Sequence, residues 1–240
     1  MAGVLAGLVG SAGGITSLVS YPALLAVGLP ARAANLANNV ALVACWPGSA
    51  LTSQPELRDR WRWLRRWSVV TAAGAAVGSG LLLATPARVF AHIVPFLIAG
   101  GSLVLLFEPR LTAWRRRHSA PEGQLGWGFA LPLFAFAFYN GYFGAGAGVM
   151  TLTLVLVMVD HHLPTANALK NMLIGASQLA SVVILASSGS VRWGAVAPLA
   201  AGMLVGASLG PLVARRVPAP VMRVVVSLLG LGLAVRLWVG

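Results

Sequence analysis

The sequence predicts an all-α polytopic membrane protein of two homologous halves, each a glycine-broken or re-entrant segment followed by three transmembrane helices. Three observations carry that prediction. The chain of 240 residues is 58% hydrophobic and only 9% charged, with a mean hydropathy of +0.83, well outside the range of soluble domains. Its longest apolar run, Leu125 to Val159, carries no charge. As one helix it would span roughly 50 Å, too long for one crossing of a ~30 Å hydrocarbon core and too short for two. The third observation is a repetition of the same parts in the same order.

Residues 4–28 form the first apolar segment, punctuated by Gly10-Ser11-Ala12-Gly13-Gly14 and Tyr21-Pro22 and closed by Gly28-Leu29-Pro30. The start, Met-Ala-Gly-Val-Leu, lacks a positively charged leader and reads as membrane segment, not as a cleaved signal. A second segment is expected from Ala31 to Thr52. The connection from Gln54 to Arg66 then interleaves Arg58, Arg60, Arg62, Arg65 and Arg66 with Trp61 and Trp63, and Trp67 follows. Tryptophan mixed with arginine at a segment end reads as an interfacial anchor rather than a nucleic-acid patch. Segments at about 67–85 and 88–107 follow, joined at Thr85-Pro86. Arg110 and Arg115-Arg116-Arg117-His118 make a central basic loop.

In the second half, arms at 125–138 and 149–159 flank the break Tyr139 to Gly148. Asp160-His161-His162-Leu163-Pro164 makes a turn, and helices are expected at 165–186, 193–214 and 219–238. Domain limits follow: 1–110 for the first half, 111–124 for the connecting loop and 125–240 for the second half. Gly7, Gly10, Gly14 and Pro30 fall on Gly141, Gly144, Gly148 and Pro164 at one constant offset. Ala34 to Asn39 falls on Ala166 to Asn171, and Gly74 and Gly78 fall on Gly202 and Gly206, a small-xxx-small pair in each half.

If the broken segments do not cross, the halves are inverted and twelve arginines share one side against four; if they cross, the split is eleven against five. The positive-inside rule favours inversion. The formal charge of +12 is thereby assigned to membrane orientation, with no nucleic-acid partner. Cys45 is the single cysteine, which excludes an intrachain disulfide framework and a cysteine metal cluster.

Broken backbone at membrane depth must be buried in protein or line a cavity, so the breaks predict a polar site. On the helix after the second break, Asn167, Asn171 and Gln178 form one stripe, beside Lys170, Ser177 and Ser181. The first half repeats these positions as Asn35, Asn39 and Trp46, beside Asn38, Cys45 and Ser49. Lys170 is the only lysine, about two turns into an apolar helix. A charge there costs on the order of 2.5–3.5 kcal/mol and calls for a partner or ligand; snorkelling to the interface or pairing with Asp160 are the plainer explanations. Glycine breaks expose N–H groups and helix N-termini, which favour anions. The predicted substrate site is therefore Gly10, Gly13, Gly14, Asn35, Asn38, Asn39, Tyr142, Gly144, Gly146, Gly148, Asn167, Lys170, Asn171, Ser177 and Gln178, without metal or cofactor. His161 and His162 could handle protons, and Tyr139 and Asn140 could donate to substrate, but structural roles serve equally. With five acidic residues and no recurring serine, histidine and carboxylate set, acid–base catalysis is not expected, and neither is an enzyme.

At these residues the chain resembles the TauE/SafE family of sulfite exporters, over nearly its whole length. Tyr142-Phe143-Gly144-Ala145-Gly146-Ala147-Gly148 is the closest match, and Gly10 to Gly14 departs from the family's denser glycine run. The resemblance implies a multi-pass transporter of the cytoplasmic membrane that moves sulfite, sulfonates or related small organosulfur anions, often outward. Its partners would be the small anion and the lipid bilayer; a coupling proton or ion and a homo-oligomer are left open. An anion channel and a non-transporting scaffold subunit are the rival readings.

Overall fold

The computed structural model describes residues 1–13, 15–58, 60–117 and 126–214, with single positions at 228, 231, 232, 234, 235 and 238. The described residues form helices and no strand. The expected helix at 219–238 lies almost wholly outside them.

The chain opens with α1 (Ala2–Gly13), α2 (Thr16–Ala26) and α3 (Ala31–Ala41). A 3-10 turn, Leu42–Ala44, leads into α4 (Cys45–Thr52). Pro47 explains the tightening: its ring has no N–H for the carbonyl of Val43 and crowds it. A short turn, α5 (Gln54–Leu57), precedes α6 (Trp61–Ala84) and α7 (Ala87–Arg117). Then come α8 (Trp127–Tyr142), α9 (Ala147–Met158), α10 (Leu163–Ser187) and α11 (Trp193–Ala214).

Several boundaries differ from the sequence reading, beginning with the first break, where Gly10 to Gly13 continue α1. The second break is only 143–146, because Tyr139 to Tyr142 continue α8. Two glycines impose it: Gly144 at φ +84° and Gly146 at φ +79° sit in the left-handed region that bulkier residues avoid. Phe143 and Gly144 both donate to the carbonyl of Tyr139, which closes α8. The other differences are that α6 begins at Trp61 and α7 reaches Arg117. Arg62, Arg65, Arg66, Arg110 and Arg115 to Arg117 are therefore helical, since arginine is a good helix former whose long stem lets the charge reach water from a helix end, whereas Arg58 and Arg60 stay in the connection. Gly146→Ala should cost about 1–2 kcal/mol from its backbone alone, read as a lowered Tm in detergent. An unchanged Tm would show that the left-handed turn is not needed.

Helices α6 and α10 are long and apolar enough to cross a membrane, at 24 and 25 residues. The arms α1, α2 and α9 have only 11 or 12 residues, about 16–18 Å, or half a hydrocarbon core.

Contacts show where those arms begin and end. The ring of Phe129, at the start of α8, meets Trp67 edge to face at 4.7 Å and Trp63 at 5.9 Å, both in the first two turns of α6. Asp160, just past α9, pairs with Arg60, just before α6, at 3.0 Å. The α8–α9 pair thus enters and leaves at the same end of the bundle. The opposite end holds both termini of α1–α2. Arg32, one residue into α3, donates to the carbonyl of Leu83 at the far end of α6 (2.8 Å), and α1 starts beside the early turns of α11.

Two helix crossings bring each broken segment against a helix distant in sequence. In the first, α1 runs along α11 in the same direction: Gly3 lies against Leu199 and Gly202, and Gly7 against Met203 and Ala207. The second lays α8 along α6, with Gly74 against Phe134 and Ala137, Gly78 against Phe138 and Tyr142, and Gly141 against Ala75. At Gly7, Gly78, Gly141 and Gly206 an added Cβ would run into a carbonyl oxygen of the facing helix. Small residues let the backbones approach this closely, which is what holds helices together in a solvent without a hydrophobic effect between them.

Candidate functional site

The two breaks meet across an interior cavity of about 60 Å³, room for a few waters or one small oxyanion. Gly10, Ser11, Thr16 and Ser17 contribute from the first break, and Asn140, Gly144 and Gly148 from the second. Between them stand two helical faces of one spacing, i, i+3, i+4 and i+7: Leu42, Cys45, Trp46 and Ser49 on one side, Asn171, Ile174, Gly175 and Gln178 on the other. Lys170 completes the wall.

Lys170 is 1% exposed, so it does not snorkel. Its ammonium donates to Asn167 Oδ1 at 2.8 Å. Asp160 is held by Arg60 and by the N–H of His162 (2.9 Å), which overturns the Asp160 pairing considered from sequence. Among the described residues no carboxylate lines the cavity. Around it, Trp46 Nε1 and Asn140 Nδ2 are buried donors without a protein partner, and Gln178 Oε1 is a buried acceptor in the same condition. Gly148 belongs to the first turn of α9, where Ala147, Val149 and Met150 donate to the carbonyls of Gly144 and Gly146 and the helix dipole favours negative charge. One cation and two unpaired side-chain donors, with no anion among the described residues, make a site suited to a small oxyanion.

The structure brings Gly10, Gly144, Gly148, Lys170, Asn171 and Gln178 together at this cavity. Other expected residues stand behind it. Asn35 donates to the carbonyl of Tyr142 at 2.8 Å, and Asn167 Nδ2 donates to that of Ser11 at 3.4 Å. Each break is thus held by an asparagine from the first turns of a helix in the other half of the chain. Asn38 bonds with Ser17 and Ser20, whereas the Asn39 amide is fully buried with neither atom paired. Gly146 packs against Gly101. The hydroxyl of Ser177 turns to the carbonyls of Leu173 and Thr71. Tyr142 reaches Thr85 Oγ1 at 3.4 Å. Gly13 is the last residue of α1 and Gly14 lies outside the described residues.

Of the weaker candidates, Tyr139 donates to the carbonyl of Ala145 at 2.8 Å and so braces the break. His161 and His162 bond locally, to Leu156 O and Thr165 Oγ1, and do not line the cavity. The other ten lining residues, Trp46 and Gly175 among them, were not singled out as substrate-binding from sequence. Trp46 and Gly175 are a pair: the indole lies where a Cβ on residue 175 would be. The signal was the i, i+3, i+4, i+7 face itself, which carries apolar members as well as polar ones.

This cavity sits in a chain whose residues 1–237 match the family model for the sulfite exporter TauE/SafE. The chain belongs to the TauE/SafE family. It is also similar to a probable membrane transporter protein of Haemophilus influenzae, with 27% identity over 216 residues, covering 87% of this chain and 80% of the relative. No solved structure matches it. As a TauE/SafE member it is a membrane transport protein, and its buried, donor-rich cavity lies between the two segments by which the family resemblance was strongest and most divergent.

Proposed function

We propose that this TauE/SafE protein is a secondary transporter that exports a small anion, such as sulfite, a sulfonate or a related organosulfur compound, across the cytoplasmic membrane. The observation that carries this reading is Lys170: a buried amine in a cavity with unpaired donors and, among the described residues, no carboxylate in its wall. A permanently uncompensated charge is costly at membrane depth; a transported anion would offset it in the loaded state. Substrate oxygens would accept from Lys170, Asn140, Trp46 and the first turn of α9. Asn35, Asn39, Asn167 and Asn171 would hold the breaks and line the route.

The halves 1–110 and 125–240 would be inverted repeats. The re-entrant contacts at opposite ends of the bundle support this, as do the exchanged packings α1 on α11 and α8 on α6. The arginine-rich end, with Arg58 to Arg66 and Arg110 to Arg117, would be cytoplasmic. Alternating access would move one half against the other about the fixed site.

Radiolabelled sulfite flux in proteoliposomes tests the reading. Saturable flux with counter-exchange is expected, and its response to imposed proton and ion gradients would identify a coupling ion. Non-saturating flux without exchange would make the protein a channel. No flux and no thermal stabilisation by any of a panel of small anions would leave only a scaffold role.

A further inference from the structure

A second cavity, separate from the anion site, runs between α6 and α10 on the outside of the bundle. It measures about 570 Å³. Its floor is made of small side chains, Ser68 and Ala72 from α6 with Ala176 and Ala180 from α10. Its rims are exposed apolar residues, with Val69 68% and Val183 71% accessible. From Trp61 to Ala72 the groove follows α6 for eleven residues, about 16 Å, which is one leaflet of a ~30 Å hydrocarbon core.

One end of the groove is polar. Arg65 lines it there, and an adjoining cavity of about 410 Å³, sharing Trp61 and Met172 with the groove, adds Gln54 and Arg58. Among the described residues neither arginine has an acidic partner; the ion pair nearby is Arg60 with Asp160. An apolar channel one leaflet long, headed by two unpaired guanidinium groups and an interfacial tryptophan, has the shape and charge of an anionic amphiphile.

We propose that this groove binds one acidic phospholipid, its phosphate held by Arg58 and Arg65 and one acyl chain laid between α6 and α10. The chain would pass Trp46, which packs on Gly175 one turn from Met172 and also walls the interior cavity. Lipid occupancy would thereby brace the indole that the anion meets. The lipid site itself requires only that α6 and α10 span the membrane, so it stands or falls independently of the transported anion.

Native mass spectrometry of the full chain, titrated with phosphatidylglycerol or phosphatidylcholine of the same acyl chains, tests this. One retained phosphatidylglycerol per chain is expected, with at least fivefold less phosphatidylcholine. R58Q/R65Q should remove that preference, while A176F, which fills the floor, should reduce both lipids. Should A176F not fold, Ser68→Phe fills the same floor from the opposite wall. Full phosphatidylglycerol retention by R58Q/R65Q would overturn the proposal. So would displacement of the lipid by millimolar glycerol 1-phosphate, which would place a bare phosphate in the site without a chain. Lipid-free dimers that A176F converts to monomers would show instead that a second copy covers the groove.

Discussion

Lys170→Met is expected to leave the fold intact and to abolish the response to sulfite. The methionine matches the length of the lysine stem and fills the same space in the cavity wall. An unpaired buried charge is costly, so an apolar group of similar volume removes that cost. The local loss is the bond to Asn167 Oδ1, worth about 1.5–3 kcal/mol when the donor is charged, and the relief of burying the ammonium offsets it. Tm without ligand should therefore stay close to wild type or rise. Binding is different, because one partner of a buried charge contact typically accounts for about 2–5 kcal/mol, on the order of 30- to 3,000-fold in affinity. Sulfite-dependent stabilisation and saturable flux should fall together by that amount. A Lys170→Met protein that sulfite stabilises as well as wild type would remove the amine from the site. A variant that simply fails to fold would give the amine a structural role.

Gly78→Ala should be among the most damaging single methyls at the described glycines, and Gly80→Ala on the same helix should be harmless. At Gly78 the new carbon would collide with the carbonyl oxygen of Phe138, and at Gly80 it would meet nothing within 4 Å. The obstacle is backbone of a helix already closed by its own hydrogen bonds, so α8 has to move away along its length. Overpacking of this kind costs about 1–3 kcal/mol, and the upper part of that range is expected because no rotamer can relieve it. Gly206→Ala should behave as Gly78→Ala does, since its Cβ would strike the carbonyl oxygen of Val4 on α1. Thermal unfolding in detergent reads all three. Equal Tm values for Gly78→Ala and Gly80→Ala would mean that α6 and α8 do not pack through this glycine.

The helical class, the broken segments and the glycine pairs were legible in the sequence because each rests on local physics. A charge-free run of the wrong length has to break. Gly144 and Gly146 are the residues that tolerate a left-handed backbone there, and small residues four apart make a flat helix face. Boundaries were less legible. Tyr139 to Tyr142 read as part of the break because glycine and aromatic residues alternate there, yet tertiary contacts on α6 carry the helix through them.

The site was legible in part. Lys170, Asn171 and Gln178 stood out as polar residues on an apolar helix, and they line the cavity. Ser177 and Asn38, on neighbouring stripes, are taken up by bonds to Thr71 and to Ser17 and Ser20. A difference of one helical position, about 100° around the axis, separates a residue facing the cavity from one facing a neighbouring helix.

By itself the sequence determined that this chain is a helical membrane protein with glycine-weakened segments, a polar stripe and a single lysine within an apolar helix, because those properties follow from composition and spacing. Only the tertiary structure decided which ends of the bundle the broken segments return to, that Lys170 is buried, that Asp160 belongs to Arg60 and not to Lys170, and that Trp46 packs directly on Gly175. Such partnerships depend on which distant helices come within contact distance, and that is settled when α1 packs on α11 and α8 on α6.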